Sequence, residues 1–242
     1  MSSIAENVAA VRARIDEAAA RAGRRPEEVL LVAVSKTQPA AALREAYAAG
    51  LRDFGENYVQ ELVQKAEALA DLRDLRFHAI GHVQRNKAKF LARLSAAVHS
   101  VDSADLAREL GRRLSAGEGA PPPRAFGNDP RLPVLVEVNI ANEPQKSGVA
   151  PDAVAPVLES VEREPELRLA GLMCVPPFGE DPRSSIPHFE ALATLRERHG
   201  GGARLPELSM GMTADFEHAI AAGATVVRVG TAIFGARPKK PE

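Results

Sequence analysis

The chain has 242 residues, and 31 Lys+Arg against 32 Asp+Glu leave a formal charge of −1, without the basic excess of a dedicated nucleic-acid binder. Its 45% hydrophobic and 26% charged residues are ordinary globular composition, which excludes a disordered chain, a collagen and a coiled coil. The one cysteine, Cys174, excludes an internal disulfide framework and a multi-cysteine zinc site, and a reducing cytoplasmic compartment is expected. At the N-terminus, Ile4, Val8, Val11 and Ile15 recur at helical spacing among Glu6, Arg12, Arg14, Asp16 and Glu17, predicting an amphipathic helix within Met1–Gly23 and not a secretion signal. No stretch approaches the ~20 apolar residues of a membrane span, so no membrane partner is expected.

From there strand-like and helical segments alternate. The near-continuous apolar run Val29–Val34 predicts a strand covered on both faces. A helix follows over Ala40–Ala49 with Gly50 as its C-terminal cap. Then come a strand at Leu51–Phe54, a helix at Tyr58–Ala70, a strand at Arg76–Ile80 and a helix at Arg85–Leu94. A fourth strand at Ala97–Val101 precedes a helix at Ala104–Leu114, opened by Ser103 as N-cap. The segment Ser115–Pro133, with Pro121-Pro122-Pro123 and several glycines, reads as an exposed loop of low order. Strands at Val134–Ile140, Leu167–Cys174, Leu205–Met210 and Thr225–Val229 follow, separated by helices at Pro151–Arg163, Ser185–His199 and Ala214–Ala222. Strict alternation implies a parallel sheet with right-handed crossovers. Eight such units in one domain spanning residues 1–242 predict an α/β fold of the TIM (β/α)8 barrel type with an extra N-terminal helix. An open doubly wound sheet is the competing arrangement, because strand count does not prove closure.

In a barrel of this kind the chemistry sits at the C-terminal ends of the strands. Leu30, Val32, Val34 and Lys36 share parity, so a barrel-facing set of apolar residues carries Lys36 into the mouth. A partly desolvated amine there has a lowered pKa and can form a Schiff base. The seventh strand leads into Ser209-Met210-Gly211-Met212-Thr213 and the eighth into Gly230-Thr231-Ala232. Phosphate sites of this fold are often built from these two loops, whose small residues let backbone N–H groups approach an anion. Arg228 shares parity with Val226 and Gly230 and, in an apolar strand, needs a partner. An amine, an anion cradle and an arginine around one mouth point to a phosphorylated aldehyde cofactor, pyridoxal 5′-phosphate (PLP).

The chain resembles the pyridoxal phosphate homeostasis protein family, related to the N-terminal barrel of alanine racemase. The residues that carry the resemblance are Ala33-Val34-Ser35-Lys36-Thr37, Phe54-Gly55-Glu56-Asn57-Tyr58-Val59-Gln60-Glu61, Phe77-His78-Ala79-Ile80-Gly81-His82-Val83-Gln84, Lys146-Ser147-Gly148, Gly171-Leu172-Met173, Ser209-Met210-Gly211-Met212 and Val227–Gly235. It runs from Ile4 to Arg237. The resemblance implies that Lys36 is the Schiff-base lysine, that Ser209, Gly211, Gly230 and Thr231 lie at phosphate-binding positions, and that Arg228 faces the pyridine nitrogen. It also implies that Asn57 and Met173 line the cofactor. Members of the family bind PLP without an established reaction and are thought to buffer or deliver it, so PLP-dependent apoenzymes are possible partners and no catalytic residue is expected.

The alternative is a racemase of the alanine racemase type. That chemistry needs a base on each face of the substrate carbon, and in racemases of this fold the second is a tyrosine from an additional domain of a partner chain. The chain ends about five residues after Arg237, so no such domain is expected, and its only tyrosines are Tyr47 and Tyr58. An arginine at the ring nitrogen also favours the unprotonated ring and weakens carbanion stabilisation. A metal-dependent hydrolase reading of His78 and His82 is disfavoured, because the pair straddles a strand end without an acidic partner at ligand spacing. Lys146 reads as a solvated loop lysine, with a transient second amine as its functional alternative. Cys174 reads as a small buried hydrophobe, Arg24 and Arg25 as helix-capping or solvated, and Glu56 as paired to a local basic group. A monomer is expected.

Overall fold

The computed structural model describes residues 2–117 and 122–236. Pro121 of the expected loop and Arg237 at the end of the resemblance lie outside them. The chain opens with α1 (Ile4–Arg21), whose Ser3 hydroxyl accepts from the Glu6 N–H while the Glu6 carboxylate accepts from the Ser3 N–H, a reciprocal cap. Then follow β1 (Leu30–Val34), α2 (Ala40–Ala48), β2 (Asp53–Glu56), α3 (Val59–Ala68), β3 (Arg76–Ala79), α4 (Ala88–Leu94), β4 (Ser95–Val101) and α5 (Ala104–Ser115). The second half comprises β5 (Leu132–Val138), α6 (Val154–Glu162), β6 (Leu167–Cys174), α7 (Ile186–Arg198), α8 (Gly201–Arg204), β7 (Glu207–Ser209), α9 (Phe216–Ala221), β8 (Val226–Val229) and α10 (Thr231–Phe234).

The strands pair in parallel in the order β1 to β8, and β1 pairs with β8 through Leu30–Val226 to Ala33–Val229. The sheet is therefore closed into a TIM barrel, and the open-sheet alternative is excluded. Outward residues such as Leu31, Ala33, Val227 and Val229 pack under the helices in one continuous core. Inward residues fill the barrel, and they include polar side chains: His78, His99, Ser209 and Arg228 are all buried. α1 packs on the flank, between α2 and the pair α9 and α10. Asn7 Nδ2 donates to the Ile233 carbonyl, and Arg14 pairs with Glu217. Arg24 does not cap α1; its Nη1 donates to the carbonyls of Ile220 and Ala224, fastening the helix exit to the α9 end.

Several segments depart from the sequence reading. Regular strand is shorter at β7, and the helices after β3 and β5 begin as single 3-10 turns. The short α8 was not anticipated, because its Gly201-Gly202 start carries a turn signal. The loop before β5 is not wholly exposed. Ala125 is buried, and the Phe126 ring lies 6.0 Å from the rings of both His78 and His99. Arg168 Nη2 donates to the Phe126 carbonyl, and Arg124 Nη1 to that of Ser95. This stretch plugs the N-terminal end of the barrel, where burial of one aromatic ring outweighs the disorder favoured by the flanking prolines and glycines.

Candidate functional site

At the opposite end, the C-terminal ends of the strands surround a cavity of about 290 Å³, at the small end of the range for small-molecule sites. Its walls are supplied by Lys36 just past β1, Asn57 after β2, Met212–Ala214 after β7, and Arg228, Gly230 and Thr231 at β8. Five of the eight residues expected at the site thus share one wall: Lys36, Asn57, Arg228, Gly230 and Thr231. Gly211 shapes the turn behind Met212. Ser209 and Met173 lie beneath the cavity and do not form its wall. Met173 is fully buried against Leu135 and Ala170 in the barrel interior.

Lys36 is half-buried and held from both sides by its chain neighbours. Thr37 occupies the left-handed region (φ 64°), a costly conformation for a β-branched residue. Its N–H donates to Glu61 Oε2 at 2.7 Å. On the other side the buried Ser35 hydroxyl donates to Glu56 Oε1 at 2.6 Å. Lys65 joins these anchors: its Nζ donates to the Ser35 carbonyl (2.7 Å), to Glu56 Oε1 (2.6 Å) and to Glu61 Oε2 (2.9 Å). Burial pushes the Glu56 carboxyl up, against the pull of the Lys65 ammonium and the Ser35 hydroxyl. Glu56 thus finds the basic partner the sequence suggested, whereas the roles of Lys65 and Glu61 were missed. Their i,i+4 spacing on α3 was the only available signal.

Arg228 forms the cavity floor. Its Nη1 donates to Ser209 Oγ at 2.7 Å and its Nη2 to the Cys174 carbonyl at 2.9 Å. Among the described residues no carboxylate lies within ion-pair distance of it. Burial lowers its pKa, yet a guanidinium remains charged and has five donors. A buried cation with only neutral acceptors favours an electron-rich ligand atom above it. Ser209 is therefore occupied in holding Arg228 and is not aimed at an anion.

The loops after β7 and β8 approach closely. Gly211 has φ 90°, and a Cβ there would stand 2.6 Å from Ala219 Cβ and 2.9 Å from Phe216 Cα. The Met212 N–H donates to Asp215 Oδ1 and the Ser185 hydroxyl to Asp215 Oδ2, so the buried Asp215 ties this loop down. Gly230 lets the chain pass beside β1: a Cβ there would lie 3.1 Å from the Val34 carbonyl. The following amides open α10 at Thr231, where first-turn N–H groups have no acceptor in their own helix.

The other candidates lie elsewhere. Lys146 is a partly exposed loop lysine that is also tethered: its Nζ contacts Glu143 Oε2 (2.5 Å) and the Pro176 carbonyl (3.0 Å), beside a second cavity that shares Asn57, Ile80 and Val175 with the first. Tyr47 donates its hydroxyl to Asp74 and stacks under Arg52, while Tyr58 is 56% exposed before α3; neither lines the cavity. His78 is inside the barrel and His82 outside, paired with Asp102. Among the described residues no cluster of three or more His, Cys, Asp or Glu is arranged to hold a metal ion. Cys174 is buried, and burial pushes its thiol up to about 12, consistent with an inert residue. No helix among the described residues is long and apolar enough to cross a membrane.

The family model for the alanine racemase N-terminal domain matches residues 7–238. The pyridoxal phosphate homeostasis protein of Pseudomonas aeruginosa is 49% identical over 98% of this chain and 97% of its own. PipY of Synechococcus elongatus, solved with PLP bound, is 35% identical with a TM-score of 0.77, covering 96% of this chain and 100% of its own. Alanine racemase of Corynebacterium glutamicum has a TM-score of 0.63 at 18% identity over 99% of this chain and 62% of its own, a likeness of fold alone.

Proposed function

The chain belongs to the alanine racemase N-terminal domain family and, within it, to the pyridoxal phosphate homeostasis proteins, and from that premise we propose that it binds PLP at the barrel mouth and buffers or delivers it in the cytoplasm without turning over a substrate. The observation that carries this reading is one cavity lined by both Lys36 and Arg228, an arginine with no carboxylate partner among the described residues, between the close-packed β7 and β8 loops. The residues fit the group. Lys36 supplies the amine that holds an aldehyde covalently. Gly230 and Thr231, with Thr213 and Ala214 across the gap, offer amides and hydroxyls to a phosphate. The N–H groups of Arg228 not used by Ser209 and Cys174 would donate to a ring nitrogen, and Asn57 lines the side wall. When bound, PLP supplies an electrophilic aldehyde conjugated to a pyridine ring.

The protein's own residues favour holding this group over using it. Arg228 presents a permanent cation and donors where an electron-sink enzyme needs an acid, so the ring nitrogen is kept unprotonated. No tyrosine reaches the cavity to serve as a second base, which disfavours the racemase alternative. The partners of such a carrier, itself a monomer, would be PLP-dependent apoenzymes.

Titration of the purified protein with PLP should produce a visible absorption band, and borohydride reduction should leave the label on Lys36. Lys36→Ala should abolish both. Substantial conversion of L-amino acids to D-isomers or keto acids, lost in Lys36→Ala, would refute the carrier reading.

A further inference from the structure

Beneath the cavity a column of hydrogen bonds runs through the barrel interior from mouth to base. Arg228 Nη1 lies 2.7 Å from Ser209 Oγ, and Ser209 Oγ lies 2.9 Å from His99 Nδ1. His99 Nε2 is 3.0 Å from His78 Nδ1, and His78 Nε2 is 2.9 Å from Asp53 Oδ1. Arg76 closes the column at the base, donating to both carboxylate oxygens of Asp53 at 2.7 and 2.6 Å. Ser209, His99 and His78 are fully buried, and Arg228 and Asp53 are each 4% exposed. The side chains come from β8, β7, β4, β3 and β2.

With both imidazoles neutral, the two ends set the direction of every bond between them. A guanidinium only donates. Burial pushes the Asp53 carboxyl up, but the bonds from His78 and Arg76 outweigh this and bring it to about 2, so at neutral pH it only accepts. Arg228 therefore donates to Ser209, and the Ser209 hydroxyl donates to His99 Nδ1. His99 Nε2–H donates to His78 Nδ1, and His78 Nε2–H donates to Asp53. Both imidazoles then carry their proton on Nε2. An added proton would turn His99 Nδ1–H against Ser209, leaving its oxygen between two donors and its own proton without a partner in the column. Burial above all, with the Arg228 cation nearby, also holds His99 well below its ordinary range.

Barrel interiors are commonly filled by branched aliphatic side chains, and apolar packing of equal volume is often as stabilising as a buried charged network or more so. The column is explained by what it holds at its upper end. With Nη1 committed to Ser209 and Nη2 to the Cys174 carbonyl, the guanidinium cannot turn about its axis. We propose that His99, His78 and Asp53 are positioning residues whose one-way hydrogen-bond column fixes Ser209, and through it the orientation in which the Arg228 guanidinium faces the cavity. This rests on the PLP reading above and adds to it the residues that hold the arginine in place beneath the ring.

Two measurements test it. Long-range 1H–15N spectra of the 15N-labelled protein without PLP, at pH 7, should show His78 and His99, two of the six histidines, as neutral Nε2–H tautomers. An imidazolium or an Nδ1–H tautomer at either position overturns the column. In the full chain, His99→Gln and Asp53→Asn should weaken PLP binding about tenfold, the scale of one lost bond to a charged group, and shift the absorption maximum of the bound chromophore. Ser209→Thr should keep both properties and Ser209→Ala lose them; this pair decides the matter if His99→Gln does not fold. A merely structural role lowers thermal stability and leaves the spectrum where it was, so unchanged affinity and spectrum in a folded His99→Gln or Asp53→Asn protein overturn the proposal. Wild-type protein that shows the ordered tautomers but takes up no PLP refutes the proposed function and with it the role of Arg228 toward the ring, and the tautomers distinguish that failure from a failure of the column.

Discussion

Lys65→Met tests how the Lys36 turn is held. Lys65 and Glu56 form a buried pair, with side-chain exposures of 8% and 0%. The methionine fills similar volume but removes all three donors, from the Ser35 carbonyl, Glu56 Oε1 and Glu61 Oε2. Glu56 Oε2 already lacks a partner, so the carboxylate keeps only the Ser35 hydroxyl. Breaking a buried pair from one side costs about 3–5 kcal/mol, equivalent to a fall in Tm of roughly 6–20 °C for a chain of this size. The loss should depend on pH with a definite sign. Burial already raises the Glu56 carboxyl above its ordinary value of 4.5, and removal of the ammonium raises it further. The folded state then binds the proton more tightly than the unfolded state. The variant therefore loses stability, relative to wild type, as pH rises from the unfolded value through the folded one. Urea denaturation followed by circular dichroism at pH 5 and pH 8 should show the larger deficit at pH 8. Adding Glu56→Gln should recover much of it, because no buried charge is left unpaired. A Lys65→Met protein within about 1 kcal/mol of wild type at pH 8, the range of an exposed ion pair, would refute this account of the turn.

Asp53 should give the acid limb of stability. Its depressed carboxyl, at about 2 against 3.8, contributes about 2 kcal/mol above the unfolded value, and this is lost as pH falls from about 3.8 through about 2. Acid titration of Asp53→Asn should lack that step. Gly211→Ala should destabilise the fold by roughly 1–3 kcal/mol, because φ is 90° and the new Cβ would meet Ala219 and Phe216. PLP uptake should fall with it, and an unaltered melting curve would contradict the packing described for the β7 loop. Cys174 should resist a thiol reagent such as Ellman's in the folded protein and react fully in denaturant, since it is buried and its thiol is raised to about 12.

The eight strands were legible because each is a short apolar run between helix-period segments. Period-2 parity then correctly sent Lys36 and Arg228 toward the mouth. Glycine positions marked the β7 and β8 loops for the same reason: local backbone demands appear in local sequence. Closure was not legible, since it rests on the pairing of β1 with β8, nearly 200 residues apart. Nor was the role of Phe126, whose ring finds its partners only once β3 and β4 present His78 and His99 at the base of the barrel. Ser209 shows the difference most clearly. Its place beside a glycine-rich turn suggested an anion donor, but the closed barrel sets it between Arg228 and His99 and commits its hydroxyl to them. The sequence by itself determined which residues make strands and which face inward, because those depend on neighbours two to four positions away. The tertiary structure alone decided which polar groups meet inside the barrel, because a buried hydrogen bond is satisfied by whichever strand lies across the axis, whatever its distance along the chain.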